Sequence, residues 1–171
     1  RRDIPLCDAG KIELSKYRIP TEFDDFDWCV SPLLRARQTA EILGSKSDVI
    51  DDRLIEMNFG EWEGMKLSQL RDKYGDALLV NEAKGVHMKP PSGESPYDVQ
   101  QRLKPLLKGL RKPTIAITHK GVIRALKSLA CNWDMKQKSP ITFDWSAAHL
   151  FLVDEQGQPH LSRANIKLDQ D

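Results

Sequence analysis

Two rhythms of apolar and polar residues alternate along the chain. FDWCV (26–30) and TIAIT (114–118) are short unbroken apolar runs of the length and composition of buried strands. Helical spacing follows each of them. SPLLRARQTAEIL (31–43) has Ser31 as a cap, Pro32 at the first helical position and Gly44 as a stop. KGVIRALKSLA, from 120, places Val122, Ile123, Ala125, Leu126 and Leu129 at helical intervals. A third helix starts near Ser95, with Val99, Leu103, Leu106, Leu107 and Leu110 on one face and Pro105 as an expected kink. Shorter helices are expected over Asp8–Tyr17, with Asp8 as N-cap and Pro20 beyond its end, and over Leu67–Tyr74, closed by Gly75. Asp48–Ile50 reads as a short strand. AHLFLVD and HLSRANI flank Glu155–Gln158 as a hairpin, and KPPSGESPYD (89–98) is a loop. Strands alternating with helices predict one α/β domain over 1–171, with 114–118 as a central strand and helices on both faces.

Composition narrows the function. A chain of 171 residues suits one core, and a net charge of +1 does not suit a nucleic-acid or membrane binder. Three cysteines, Cys7, Cys29 and Cys131, form no CxxC pair, so buried thiols in a reducing compartment, the cytoplasm, are expected. No apolar run approaches membrane-spanning length. His87, His149 and His160 are scattered without metal-ligand spacing, so no metal is expected and these histidines read as structural or surface residues.

Chemistry concentrates at three polar corners, where α/β sheets bind ligands outside the carboxyl ends of their strands. The first holds Arg35 and Arg37 in the opening turns of a helix, where free N–H groups, the helix dipole and a guanidinium fork favour phosphate or carboxylate. The second, RLIEMNFGEWEG (53–64), sets Glu56 among Leu54, Ile55, Met57 and Phe59. Apolar surroundings raise a carboxyl pKa towards use as a general acid. The third is Thr118-His119-Lys120-Gly121, where His119 closes a strand and opens a helix. Taken singly, the arginines read better as solvated helix charges, Glu56 as an ordinary loop carboxylate and His119 as a cap.

Taken in order, SPLLRARQTAEIL, IEMNFGEWEG, PPSGES and ITHKGVIRAL resemble the histidine phosphatase superfamily, the phosphoglycerate mutase-like proteins. DIPLCDAG (3–10) resembles the segment just after that family's first loop, so the likeness runs from about Asp3 to Ile166. The resemblance implies a three-layer αβα sandwich around a mostly parallel sheet with one antiparallel strand. It implies phosphoryl transfer through a phosphohistidine, with a carboxyl protonating the leaving oxygen and no cofactor or metal. By motif, Arg35 clamps phosphate, Glu56 is the proton donor and His119 is the second histidine, a phosphate ligand. Arg37 has no counterpart. The substrate implied is a small phosphorylated molecule, and the short stretch from Met65 to Lys89 favours a phosphatase over a mutase.

Two departures stand out. Lys120 replaces a glycine after the second histidine, and its side chain is expected at the pocket rim or in solvent. No Arg-His-Gly triplet, the family's nucleophile motif at the end of a first central strand, occurs in the sequence. Nucleophile and first phosphate arginine are therefore absent, and Arg2 at most lines the entrance. Because deleting a central strand exposes apolar faces and unpaired edges, the sequence is expected to be part of a longer chain. The alternatives are a non-catalytic phosphate-ligand or protein-binding pseudo-enzyme and a mutase-type phosphotransferase.

Overall fold

The computed structural model describes residues 1–45 and 48–170. The chain runs α1 (Asp8–Leu14), β1 (Tyr17–Arg18), β2 (Asp27–Val30), α2 (Leu34–Ile42) and β3 (Asp48–Ile50). It continues through α3 (Leu67–Glu82), α4 (Pro96–Gly109), β4 (Thr114–Ile117), α5 (Lys120–Ala130), β5 (Ala148–Val153), β6 (Pro159–Ile166) and β7 (Asp169–Gln170). Strands β3, β2 and β4 form a wholly parallel sheet in that order. β5 and β6 pair antiparallel as a separate hairpin, and β7 returns to pair with β1.

Alternation along β2 sorts the two layers. Cys29 packs among Val99, Leu103, Leu107, Val122 and Ala125 of α4 and α5, whereas Trp28 and Val30 pack with Ala36 and Ala40 of α2. The sheet therefore lies between α2 on one face and the α4–α5 pair on the other. α4 starts in a reciprocal cap, in which Ser95 Oγ accepts from the Asp98 N–H and Asp98 Oδ2 accepts from the Ser95 N–H. The β5–β6 turn is tied by Asp154 Oδ1, which accepts from the Gln156 and Gln158 N–H groups.

Several boundaries differ from the sequence reading. Helix α1 is preceded by Cys7 rather than capped by Asp8. Helix α2 starts at Leu34, not Pro32, because Ser31 is drawn into the site described below, and Asp3 Oδ1 takes the Leu34 N–H at 2.6 Å in its place. Gly75 kinks α3 instead of ending it. At φ 50° it adopts a turn closed to most side chains, and the helix resumes because Leu78 beyond it is buried in the cluster with Trp62 and Leu70. α4 continues through Pro105 to Gly109. β4, expected to be central, is the edge of its sheet. It pairs with β2 along one side and with no strand along the other among the described residues.

Candidate active site

Three chain segments converge at the carboxyl ends of β2 and β4. Ser31 follows β2 and is fully buried. Its Oγ lies 2.7 Å from His119 Nε2, which follows β4 and is itself buried. The Ser31 N–H donates to the Ile117 carbonyl, which fixes the two strand ends against each other. His119 stands at the N-cap of α5 without capping it, so its ring is spent on Ser31.

Glu56 arrives from the loop after β3. Thr118 Oγ1 donates to the Leu54 carbonyl at 2.7 Å and holds that loop to the end of β4. Glu56 Oε1 accepts from the Met57 N–H at 2.8 Å and from the Gly121 N–H at 3.1 Å. That contact requires a glycine, since a Cβ on Gly121 would lie 2.5 Å from Glu56 Oε1 and 3.0 Å from Met57 Cβ. Arg35, half-buried in the first turn of α2, donates from Nη1 to the Arg2 carbonyl at 3.0 Å.

The electrostatics separate the two titratable groups. Burial raises the Glu56 pKa, and the two N–H bonds with Arg35 and Arg102 pull it back only in part. Burial, with the positive charges of Arg35 and Arg102, lowers His119 to about 4, so the ring is neutral at pH 7. Arg35 thus acts on both Glu56 and His119. The structure brings these three sequence candidates to one place.

Arg37 is exposed on the far side of the same turn, in keeping with its lack of a counterpart. Lys120 is exposed, with its Nζ 5.1 Å from the Trp145 ring centre. Arg2 meets the site through its backbone carbonyl, and its guanidinium lies against Gly64.

Sequence reasoning missed three contributors. Ser31 read as a helix cap, Gly121 entered only as the last residue of the polar corner around His119, and Arg102 was not singled out. Arg102 donates from Nη2 to the Ile55 carbonyl at 2.6 Å, from Nη1 to the Arg53 carbonyl, and from Nε to Glu94 Oε1 at 3.1 Å. Glu94 Oε2 in turn accepts from the Asn58 N–H at 2.8 Å. The loop carrying Glu56 is therefore bracketed from both sides by α4 and the 89–95 segment. Among the described residues no group of three His, Cys, Asp or Glu side chains could hold a metal ion, and no helix is long and apolar enough to cross a membrane.

The sequence profile of the histidine phosphatase superfamily (branch 1) matches residues 1–167. The chain belongs to that superfamily. This histidine phosphatase-family chain is 31% identical over 115 residues to the glucosyl-3-phosphoglycerate phosphatase of Mycobacterium tuberculosis, a match covering 57% of the chain and 51% of that protein. It is 28% identical over 144 residues to 6-phosphofructo-2-kinase/fructose-2,6-bisphosphatase of Arabidopsis thaliana, covering 79% of the chain and 19% of that protein. The chain thus spans about half, or less, of these relatives. Among solved structures, TTHB049 from Thermus thermophilus superposes with a TM-score of 0.60 at 33% identity, over 75% of this chain and 72% of that one. The mycobacterial glucosyl-3-phosphoglycerate phosphatase in complex with inorganic phosphate superposes with a TM-score of 0.73 at 22% identity, over 96% and 89%. At that identity the second likeness speaks for the fold, which is that of the phosphoglycerate mutase-like histidine phosphatases.

Proposed function

We propose that the protein is a phosphomonoester hydrolase working through a phosphohistidine, with Glu56 as proton donor and Arg35 and His119 as phosphate ligands. The observation that carries this reading is the pairing of a carboxyl of raised pKa with a neutral histidine beneath one guanidinium, at the N-terminus of α5. The phosphoryl group would sit against Arg35, His119 and that helix end, where positive potential meets the charge of the transferring oxygens. As a nucleophilic imidazole bonds to phosphorus and the ester P–O bond breaks, the Glu56 carboxyl gives its proton to the leaving oxygen. The resulting carboxylate then takes a proton from the water that attacks the phosphohistidine and releases phosphate.

The sequence holds no Arg-His-Gly triplet, so this reading takes the nucleophile from outside the 171 residues. The open edge of β4, beside the corner that carries His119, supports a further strand there. The short 65–89 segment supports a small phosphomonoester and a phosphatase rather than a mutase. Of the three thiols expected to be buried only Cys29 is, while Cys7 is exposed and Cys131 half-buried; that all three are unpaired supports a cytoplasmic setting, and the near-neutral charge supports neither a nucleic acid nor a membrane as partner.

A form extended upstream to include an Arg-His-Gly segment is expected to hydrolyse 4-nitrophenyl phosphate without added metal. The 171-residue chain is expected to bind inorganic phosphate but not to turn over. Loss of the extended form's activity in EDTA, or turnover by the 171-residue chain, would overturn the mechanism. The missing triplet favours a non-catalytic phosphate-binding protein as the second reading, and an extended form that binds phosphate without hydrolysis would establish it.

A further inference from the structure

Beside the loop that carries Glu56, a cavity of about 480 Å³ opens between α3 and the 89–92 segment. Trp62, Tyr74, Leu78, Pro90 and Pro91 make apolar walls, and Lys84 stands at the rim. This volume matches a small organic ligand, and apolar walls with a few polar groups are the usual make-up of such sites.

The polar groups at the cavity are unequal. Lys89 is paired with Asp98 at 2.9 Å, and the Asn81 side chain is used up on the Lys89 backbone, donating to its carbonyl at 2.8 Å and accepting from its N–H at 3.2 Å. Lys84 has no carboxylate partner among the described residues. Trp62 is 9% exposed, and its Nε1–H is a buried side-chain donor without a hydrogen-bond partner among the described residues. The Lys84 ammonium donates and cannot accept. The complement is a flat apolar body carrying a negatively charged acceptor.

The walls are built rather than incidental. Gly60 sits at φ 48° with its Cα against the Pro91 carbonyl, where a Cβ would collide, and the Glu61 N–H donates to that same carbonyl at 3.0 Å. Ser92, at the end of the lining, holds the left-handed conformation at φ 56° without being glycine. Such strain concentrates at ligand-binding positions.

We propose that this cavity is a binding site for an amphipathic organic anion, its apolar part against Trp62, Tyr74 and the prolines and its charge at Lys84. The site is separate from the phosphate site at Arg35 and does not depend on the chemistry proposed there.

Binding of 2-naphthoate to the 171-residue chain tests this, with 2-naphthol as the uncharged twin and acetate as the charge without the body. The readout is the indole N–H NMR signal of Trp62, assigned through Trp62→Phe. Saturable binding of 2-naphthoate that shifts the Trp62 signal is expected, with both twins weaker. Lys84→Glu should weaken binding by about ten-fold or more. Ala77→Phe, at an exposed position lining the cavity, should abolish it while leaving the rest of the spectrum in place. Arg35→Ala should leave binding unchanged. Binding that is lost with Arg35→Ala, or that persists undiminished in Ala77→Phe, would overturn the proposal. So would the absence of saturable binding at millimolar probe.

Discussion

Burial raises the Glu56 pKa further than its two backbone donors and two nearby arginines lower it, so the folded chain holds the ionised carboxylate less well than water does. A glutamine at this position keeps an Oε1 acceptor for the Met57 and Gly121 N–H groups and removes the desolvated charge. Glu56→Gln is therefore expected to stabilise the chain relative to wild type, increasingly so as pH rises and the carboxyl ionises, which urea unfolding midpoints measured across pH would show. If Glu56 is the acid, the same substitution slows phosphoenzyme formation in an active, extended form most for alkyl phosphates and least for nitrophenyl phosphate. An equal loss for all leaving groups would remove it from that role. His119 is coupled to pH with the opposite chemistry. Its folded value of about 4 lies below the ordinary 6.5, so between these values the unfolded chain binds the extra proton. The stability it protects is complete above pH 6.5 and is lost as pH falls towards 4, roughly 3 kcal/mol in all. Urea unfolding midpoints of wild type and His119→Asn should converge across that window. Parallel profiles would show that the ring is protonated in the folded chain.

At the level of elements, the site depends on a close approach that only one side chain permits. α5 brings its Gly121 N–H onto Glu56, and a methyl group there would occupy the place of the carboxylate. Gly121→Ala is expected to destabilise the chain by about 1–3 kcal/mol despite alanine's better helix propensity. It should also move the Glu56 carboxyl resonance in NMR titration towards the solvent value. An unchanged Glu56 titration would mean that the helix end shifts as a body. This glycine shows why part of the site was illegible in the sequence. The corners after β2 and β4 were legible because a run of apolar residues ending in Ser31 or His119 is a local pattern. The partners of those residues are not local. Ser31 meets His119 across 88 positions, and Arg102 reaches Ile55 across 47, so neither contact leaves a trace in spacing. Gly75 misled for a different reason. Glycine signals a backbone turn, but whether the helix resumes is decided by what lies beyond it, here the burial of Leu78 against Trp62.

Across the whole molecule, the layering of helices on a parallel sheet was legible from alternating strands and helices, but the position of β4 was not. Its apolar run predicted burial on both sides, whereas the strand lies at an open edge. The bonds from the Asp27 N–H to the Pro113 carbonyl and from the Ser31 N–H to the Ile117 carbonyl place the odd-numbered groups of β4 towards β2. By the two-residue repeat of a strand, the Ala116 N–H and carbonyl point the other way, and Ala116 is the exposed residue of β4. Amide hydrogen exchange should divide along this line. Ile115 and Ile117 should exchange slowly, through opening of the sheet, while Ala116 between them exchanges close to the rate of an unstructured amide. In an extended form in which another strand pairs with β4, the Ala116 amide should become as protected as its neighbours. Protection of Ala116 in dilute 171-residue chain would mean that this edge is already covered. If that protection disappeared on further dilution, the cover would be a second copy of the chain, as an unpaired apolar edge invites.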